Sequence, residues 1–152
     1  MTMTTQTPTQ PATGATGRVA RVIGPVVDVE FAADEMPDIN NKLLIEIETQ
    51  GRASTIAAEV ALHVGDNMVR AISLKPTDGM RRGGKVIVTG EQITVPAGDV
   101  TKGRVWNVTG ECLNDDLSGV EITERWPIHR DPPKFDALEP KTQMLETGIK
   151  VL

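Results

Sequence analysis

Between Gly17 and Pro96 the chain consists of short apolar runs with a period of two, cut by turn residues at intervals of roughly 8 to 14. That rhythm buries one face of each run and leaves little room for a long helix, so it points to an antiparallel barrel or sandwich. The first run, Val19 to Phe31, is broken at Gly24-Pro25, and its second half alternates Val27, Val29 and Phe31 with Asp28 and Glu30. A bulge or corner at Gly24 is expected to bend this strand into a closed sheet. Leu43, Ile45 and Ile47 form the apolar face of a second strand that stops at Gln50-Gly51. Ile56, Ala58, Val60 and Leu62 continue the pattern, and Gly65-Asp66-Asn67 joins them to Met68–Leu74 as a hairpin. After a loop from Pro76 to Gly84 come a strand over Lys85–Thr89, a turn at Gly90-Glu91 and a short strand over Ile93–Val95. The total is about six strands.

The character changes after Gly98. Asp99 can cap a short helix over Val100–Val108, with Gly110 placed as a C-terminal glycine. Four prolines, Pro127, Pro132, Pro133 and Pro140, then impose an extended path that cannot enter a central strand and needs a surface to lie on. Thr147 reads as the N-cap of a helix of which barely one turn follows. At the other end, Met1–Thr16 holds seven Thr, two Pro and no charge, the composition of a disordered tail and of neither a signal peptide nor a membrane anchor.

Composition narrows the function. Sixteen Lys plus Arg against 21 Asp plus Glu give a net charge of -5, and the aromatic residues are Phe31, Trp106, Trp126 and Phe135 alone. Without a basic surface or stacking platforms, nucleic acid is not an expected partner. The single Cys112 excludes an internal disulfide and a multi-cysteine zinc site, and it reads as a small apolar residue rather than a nucleophile. No run approaches the ~18 apolar residues of a membrane-spanning helix, so a membrane link is expected only through partners.

The strongest chemical motif is Gly79-Met80-Arg81-Arg82-Gly83-Gly84-Lys85-Val86, which has the glycine spacing and lysine of a phosphate loop. Val86 stands where a magnesium-holding Ser or Thr is required, and a strand rather than a helix follows, so a glycine-rich hairpin connection with exposed Arg81 and Arg82 is the better reading. His63 and His129 lack a third ligand at any recurring spacing; Ser54, Ser73 and Ser118 lie in no nucleophile elbow; and the carboxylates Asp34, Glu35 and Asp38, like Asp115, Asp116, Glu121 and Glu124, read as solvated groups. Asn107-Val108-Thr109 fits a glycosylation acceptor by chance, and the likeness of Val88–Ile93 to Val108–Leu113 is one pair of hexapeptides rather than a repeat. No catalytic, cofactor-binding or metal-binding residue is assigned. About 80 residues of barrel, at roughly 1.5 kcal/mol of ordering entropy each, nearly cancel the burial that a small core supplies, so the barrel is expected to lean on a neighbour.

Five blocks resemble the catalytic β subunit of the F-type ATP synthase: Gly17–Phe31 (GRVARVIGPVVDVEF), Ile93–Gly98 (ITVPAG), Thr101–Cys112 (TKGRVWNVTGEC), Glu124–Pro133 (ERWPIHRDPP) and Leu138–Val151 (LEPKTQMLETGIKV). The sequence departs from the family at Ala97, where valine is usual, and in the extra basic and glycine character of Gly79–Gly84.

The resemblance implies a mainly β chain: a tail over residues 1–16, a six-stranded antiparallel barrel over 17–96, and over 97–152 an incomplete lead-in to an α/β nucleotide-binding domain. It implies that the chain stops before the family's phosphate loop and therefore carries no nucleotide site of its own, Mg-ATP or ADP being the cofactors of the parent subunit. The implied parent makes ATP from ADP and phosphate, driven by a proton gradient, at the cytoplasmic face of the plasma (inner) membrane. Its implied partners are α subunits in an α3β3 hexamer and the central stalk. The competing expectation is a stand-alone, non-catalytic barrel that binds or caps α/β subunits.

Overall fold

The computed structural model describes residues 14–49, 52–142, 144 and 146–148. Among the described residues eight strands carry the fold: β1 (Thr16–Ile23), β2 (Val26–Glu30), β3 (Asn41–Thr49), β4 (Arg52–Gly65), β5 (Met68–Ser73), β6 (Lys85–Gln92), β7 (Thr94–Pro96) and β8 (Arg125–Pro127). The first six close into an antiparallel barrel in the order β1-β2-β5-β4-β3-β6, and β7 and β8 pair as a separate two-stranded sheet. The mainly β class and the closed six-stranded barrel thus agree with the sequence reading.

The period of two translates directly into the core. Val19, Val27, Val29, Leu43, Ile45, Ala58, Val60, Val69, Ala71, Val86 and Val88 all point inward and are buried. A six-stranded barrel is too narrow for many large side chains, and this interior is mostly valine with alanines at Ala58 and Ala71. Phe31 and Ala15 extend the packing at one end, while Met36, Ile47 and Met80 lie against it half-buried. The acidic loop after Phe31 is therefore more than a surface connection: Met36 packs on the core, Pro37 is fully buried, and His63 Nε2 lies 2.8 Å from the Pro37 carbonyl.

Six strands are present in the barrel, but they are not the six that periodicity suggested. Gly24-Pro25 is a two-residue hairpin turn, with Ile23 paired to Val26, so the first run is two strands. The bulge lies earlier, at Ala20, where the register slips between Val19 and Arg21. Gly90 and Glu91 do not turn the chain; they bulge within β6, because Asn41 pairs with Gln92 while Leu43 pairs with Val88. Thr89 Oγ1 fills the gap by donating to the Lys42 carbonyl at 2.9 Å. Consequently the strand begun at Ile93 leaves the barrel and pairs with β8.

Strand β4 reaches 14 residues by two further register shifts, after Val60 and after His63, which let its first half pair with β3 and its second with β5. The Asp66-Asn67 turn that follows has φ of 50° and 59°, the left-handed pair of a type I′ turn, as the Gly65-Asp66-Asn67 signal anticipated. The loop from Leu74 to Gly84 is not a hairpin connection. Strands β5 and β6 lie on opposite sides of the closed barrel, so the loop crosses its end.

Beyond the barrel the expected helix over Val100–Val108 does not form. A single 3-10 turn, Asp99–Thr101, is followed by Gly103 at φ 70° and then by a small hairpin in which Trp106 bridges Cys112. Leu113 N–H donates to the Val105 carbonyl, and Asn107 Oδ1 accepts from the amides of Thr109 and Glu111 and from Thr109 Oγ1. An asparagine that gathers its own turn in this way competes with the helix, as do the β-branched Val105 and Val108. Gly110, at φ 74°, serves this turn rather than a helix end. Met1–Thr13 and the residues after the Thr147 cap, 149–152, lie outside the described residues, whereas Ala15 and Thr16, grouped with the tail on composition, belong to the packed sheet.

Candidate interaction face of the barrel

The most organised polar group on the barrel lies on the outer wall formed by β1, β2 and β5. Register places Arg21 opposite Asp28 and Asp28 opposite Arg70, so one carboxylate faces an arginine on each side. Arg21 donates Nε and Nη2 to Asp28 Oδ2 at 2.9 and 2.6 Å, and Arg70 donates Nε to Oδ1 at 2.8 Å and Nη2 to Oδ2 at 3.1 Å. The Asp28 side chain is 5% exposed beneath the two guanidinium groups, and that of Arg21 is 58% exposed. Hydrogen bonding from Arg70 outweighs desolvation and, with Arg21, holds the Asp28 carboxyl down to about 2. Arginine forks suit this role because their geometry matches a carboxylate.

Apolar residues surround this group. Ile23 pairs with Val26, Val26 with Ile72, and Arg70 with Leu62, so Ile23, Ile72 and Leu62 stand in neighbouring rows of the same wall, 56, 46 and 43% exposed. Exposed isoleucine and leucine around a fixed arginine pair form a surface suited to protein contact. A sequence reader sees Asp28 as the polar half of an alternating strand; only pairing across 42 residues reveals its partner Arg70.

The other residues weighed in the sequence are scattered. Lys85 of the phosphate-loop-like stretch begins a strand, Val86 is fully buried in the barrel, and Lys85 Nζ lies 3.7 Å from Glu46 Oε1. Gly79, Arg81, Gly84 and Lys85 line one side of an open cleft of about 810 Å³ whose far side is the β3–β4 ribbon. Among the described residues the lining comes from strands and the loop before β6, and none of it is a helix N-terminus of the kind that holds phosphate. His63 bonds the Pro37 carbonyl, whereas His129 Nε2 lies 3.0 Å from Glu59 Oε2. Ser73 donates to the Lys75 carbonyl and Ser118 to Asp116 Oδ2, and Ser54 is exposed. Cys112 is half-buried, its thiol 3.5 Å from Asn114 Oδ1. Asp115 is paired with Arg104, which holds its carboxyl below the usual range, and Glu124 accepts from the Trp126 indole. Among the described residues no three His, Cys, Asp or Glu side chains are grouped as metal ligands.

Beyond the barrel the segment presents apolar side chains to solvent: Val105, Val108, Leu113, Trp126, Phe135 and Met144 are all exposed. Residues 19–90 match the family model described as "ATP synthase alpha/beta family, beta-barrel domain". The match runs from early β1 through most of β6, the whole circuit of the closed barrel. Over these residues the six-stranded barrel of this chain is similar to the β-barrel domain of the ATP synthase alpha/beta family.

Proposed function

We propose that this chain is the N-terminal part of the catalytic β subunit of an F-type ATP synthase, and that its barrel acts as an assembly module beside the barrels of neighbouring subunits. The observation that carries the reading is the family match over a closed barrel whose β1-β2-β5 wall sets a rigid arginine pair among exposed apolar residues. The choice of β rather than α rests on the resemblance of Leu138–Val151 to the β subunit. The parent subunit would work at the cytoplasmic face of the plasma (inner) membrane, in an α3β3 hexamer around the central stalk, and couple a proton gradient to ATP synthesis. The residues holding Mg-ATP or ADP would lie outside this stretch, and the exposed apolar residues beyond the barrel would be covered by the nucleotide-binding domain. The part played here by the chain's own residues is binding and orientation, with no bond made or broken.

The test is size-exclusion chromatography of the chain with purified α subunit, together with calorimetric titration by Mg-ATP. A stable complex with α and no heat from micromolar ATP are expected. Failure to associate with α overturns the assembly role, and micromolar ATP binding overturns the placing of the nucleotide site outside this stretch.

A further inference from the structure

On the outer wall of β1, β2 and β5 the charges do not cancel. These three strands carry Arg18, Arg21 and Arg70 against Asp28 and Glu30. Register sets Arg18 opposite Glu30, and it sets Asp28 between Arg21 and Arg70, so one cation is in excess at the centre of the wall. The whole chain has a net charge of -5, which makes this positive spot a local departure from an acidic surface.

The excess charge is held in a fixed geometry. Asp28 Oδ2 accepts from Arg21 Nε and Nη2 and from Arg70 Nη2, and Oδ1 accepts from Arg70 Nε. Among the described residues Nη1 of neither arginine meets an acceptor. The Arg21 side chain is 58% exposed against 34% for Arg70, so Arg21 is the cation that an approaching surface meets first. Because Asp28 already orients the guanidinium, little side-chain freedom is lost when its outer donors are used.

These facts decide what can cover the wall. Ile23, Leu62 and Ile72 gain from an apolar partner, but a wholly apolar one would strip water from the Nη1 donors and return no acceptor. A carboxylate within the apolar partner restores those bonds and balances the excess cation. A second copy of the same wall cannot serve, because a two-fold contact sets each patch against itself and would bring two excess cations together.

We infer that Arg21 determines the partner of this wall: it selects a protein surface that is apolar around one aspartate or glutamate carboxylate, and it rejects a second copy of the wall itself. The inference rests on the assembly role proposed above and adds to it what the neighbouring subunit must present.

The test uses the whole chain and purified α subunit. Calorimetric titration at about 50 and about 500 mM salt is expected to show an association that salt weakens. Arg21→Gln is expected to lower the affinity about fivefold to tenfold at the lower salt and to flatten the salt dependence. In Arg21→Lys, carbodiimide coupling within the complex is expected to join position 21 through an amide bond to an aspartate or glutamate of α, located by mass spectrometry. If the native chain does not associate with α, the assembly role falls and this inference with it. If it associates but Arg21→Gln binds equally well, or position 21 couples only to Asp28, the inference alone is overturned. Self-association of the native chain that Arg21→Gln reduces, followed by sedimentation, overturns it as well. Circular dichroism checks that each variant folds; if Arg21→Gln does not, the native salt profile decides, and an affinity indifferent to salt overturns the inference.

Discussion

Arg70 on β5 reaches Asp28 on β2 with two parallel N–H donors, Nε to Oδ1 at 2.8 Å and Nη2 to Oδ2 at 3.1 Å, and so fastens two strands whose sequences lie 42 residues apart. The bond pair is fixed by the barrel register, which sets Asp28 directly opposite Arg70. Because the carboxylate is buried while both arginines reach water, removing the charge at Asp28 leaves two cations facing one another on the wall.

The first prediction concerns pH. A carboxyl held at about 2 against an ordinary 3.8 binds its proton more weakly in the folded state, so its stabilisation is complete above the unfolded value. It is lost as pH falls from near 4 toward about 2. At full strength such a shift is worth about 2.5 kcal/mol, and screening at the open arginines brings the expected loss to ~1–2 kcal/mol. Urea denaturation of the native chain and of Asp28→Asn at pH 7 and pH 2 checks it: the two should differ at pH 7 and converge in acid.

Gly17 supplies a second prediction, through space rather than backbone angle. A Cβ there would stand 2.6 Å from Phe31 Cε1 and 2.8 Å from the Glu30 carbonyl oxygen, and the latter belongs to a paired strand that cannot retreat. Gly17→Ala should cost about 1–3 kcal/mol by overpacking. Thermal unfolding should show a clear drop in Tm, partly restored by shortening the ring with Phe31→Leu.

The Asp66-Asn67 turn tests local conformation against tertiary packing. Both residues hold positive φ, which asparagine tolerates and glycine adopts freely. Asn67→Gly should therefore be neutral or stabilising by up to about 1 kcal/mol, whereas Asn67→Val should destabilise by ~1–2 kcal/mol. The Asn67 carbonyl still accepts from Phe31 N–H in either variant, so denaturation midpoints report the turn itself.

Position in the alternating pattern yields a fourth prediction. Leu43 is fully buried inside the barrel and Leu62 is 43% exposed on its wall, although both sit in strands of similar composition. Leu43→Ala should cost about 3 kcal/mol and Leu62→Ala less than ~1 kcal/mol. If the outer wall is an assembly surface, Leu62→Ala should instead weaken association with α subunit, measured by analytical ultracentrifugation.

What could be read from the chain alone is what neighbouring residues decide among themselves. Alternation of Val27, Val29 and Phe31 with Asp28 and Glu30 depends on a period of two, and the Gly65-Asp66-Asn67 turn depends on left-handed angles, so both were legible, and with them the barrel class and most of its core. The tertiary structure decided what depends on distant partners. It made Gly24-Pro25 a hairpin and Gly90-Glu91 a bulge, because those choices turn on which strand lies alongside, and it carried Ile93 out of the barrel to β8. The helix expected over Val100–Val108 gave way to a turn closed by the Asn107 side chain and a bridge from Trp106 to Cys112, bonds that helical periodicity does not reveal. The interaction wall was hidden for the same reason: Arg21, Asp28 and Arg70 become one group only when a closed sheet sets three strands side by side, and no spacing along a single strand encodes that approach.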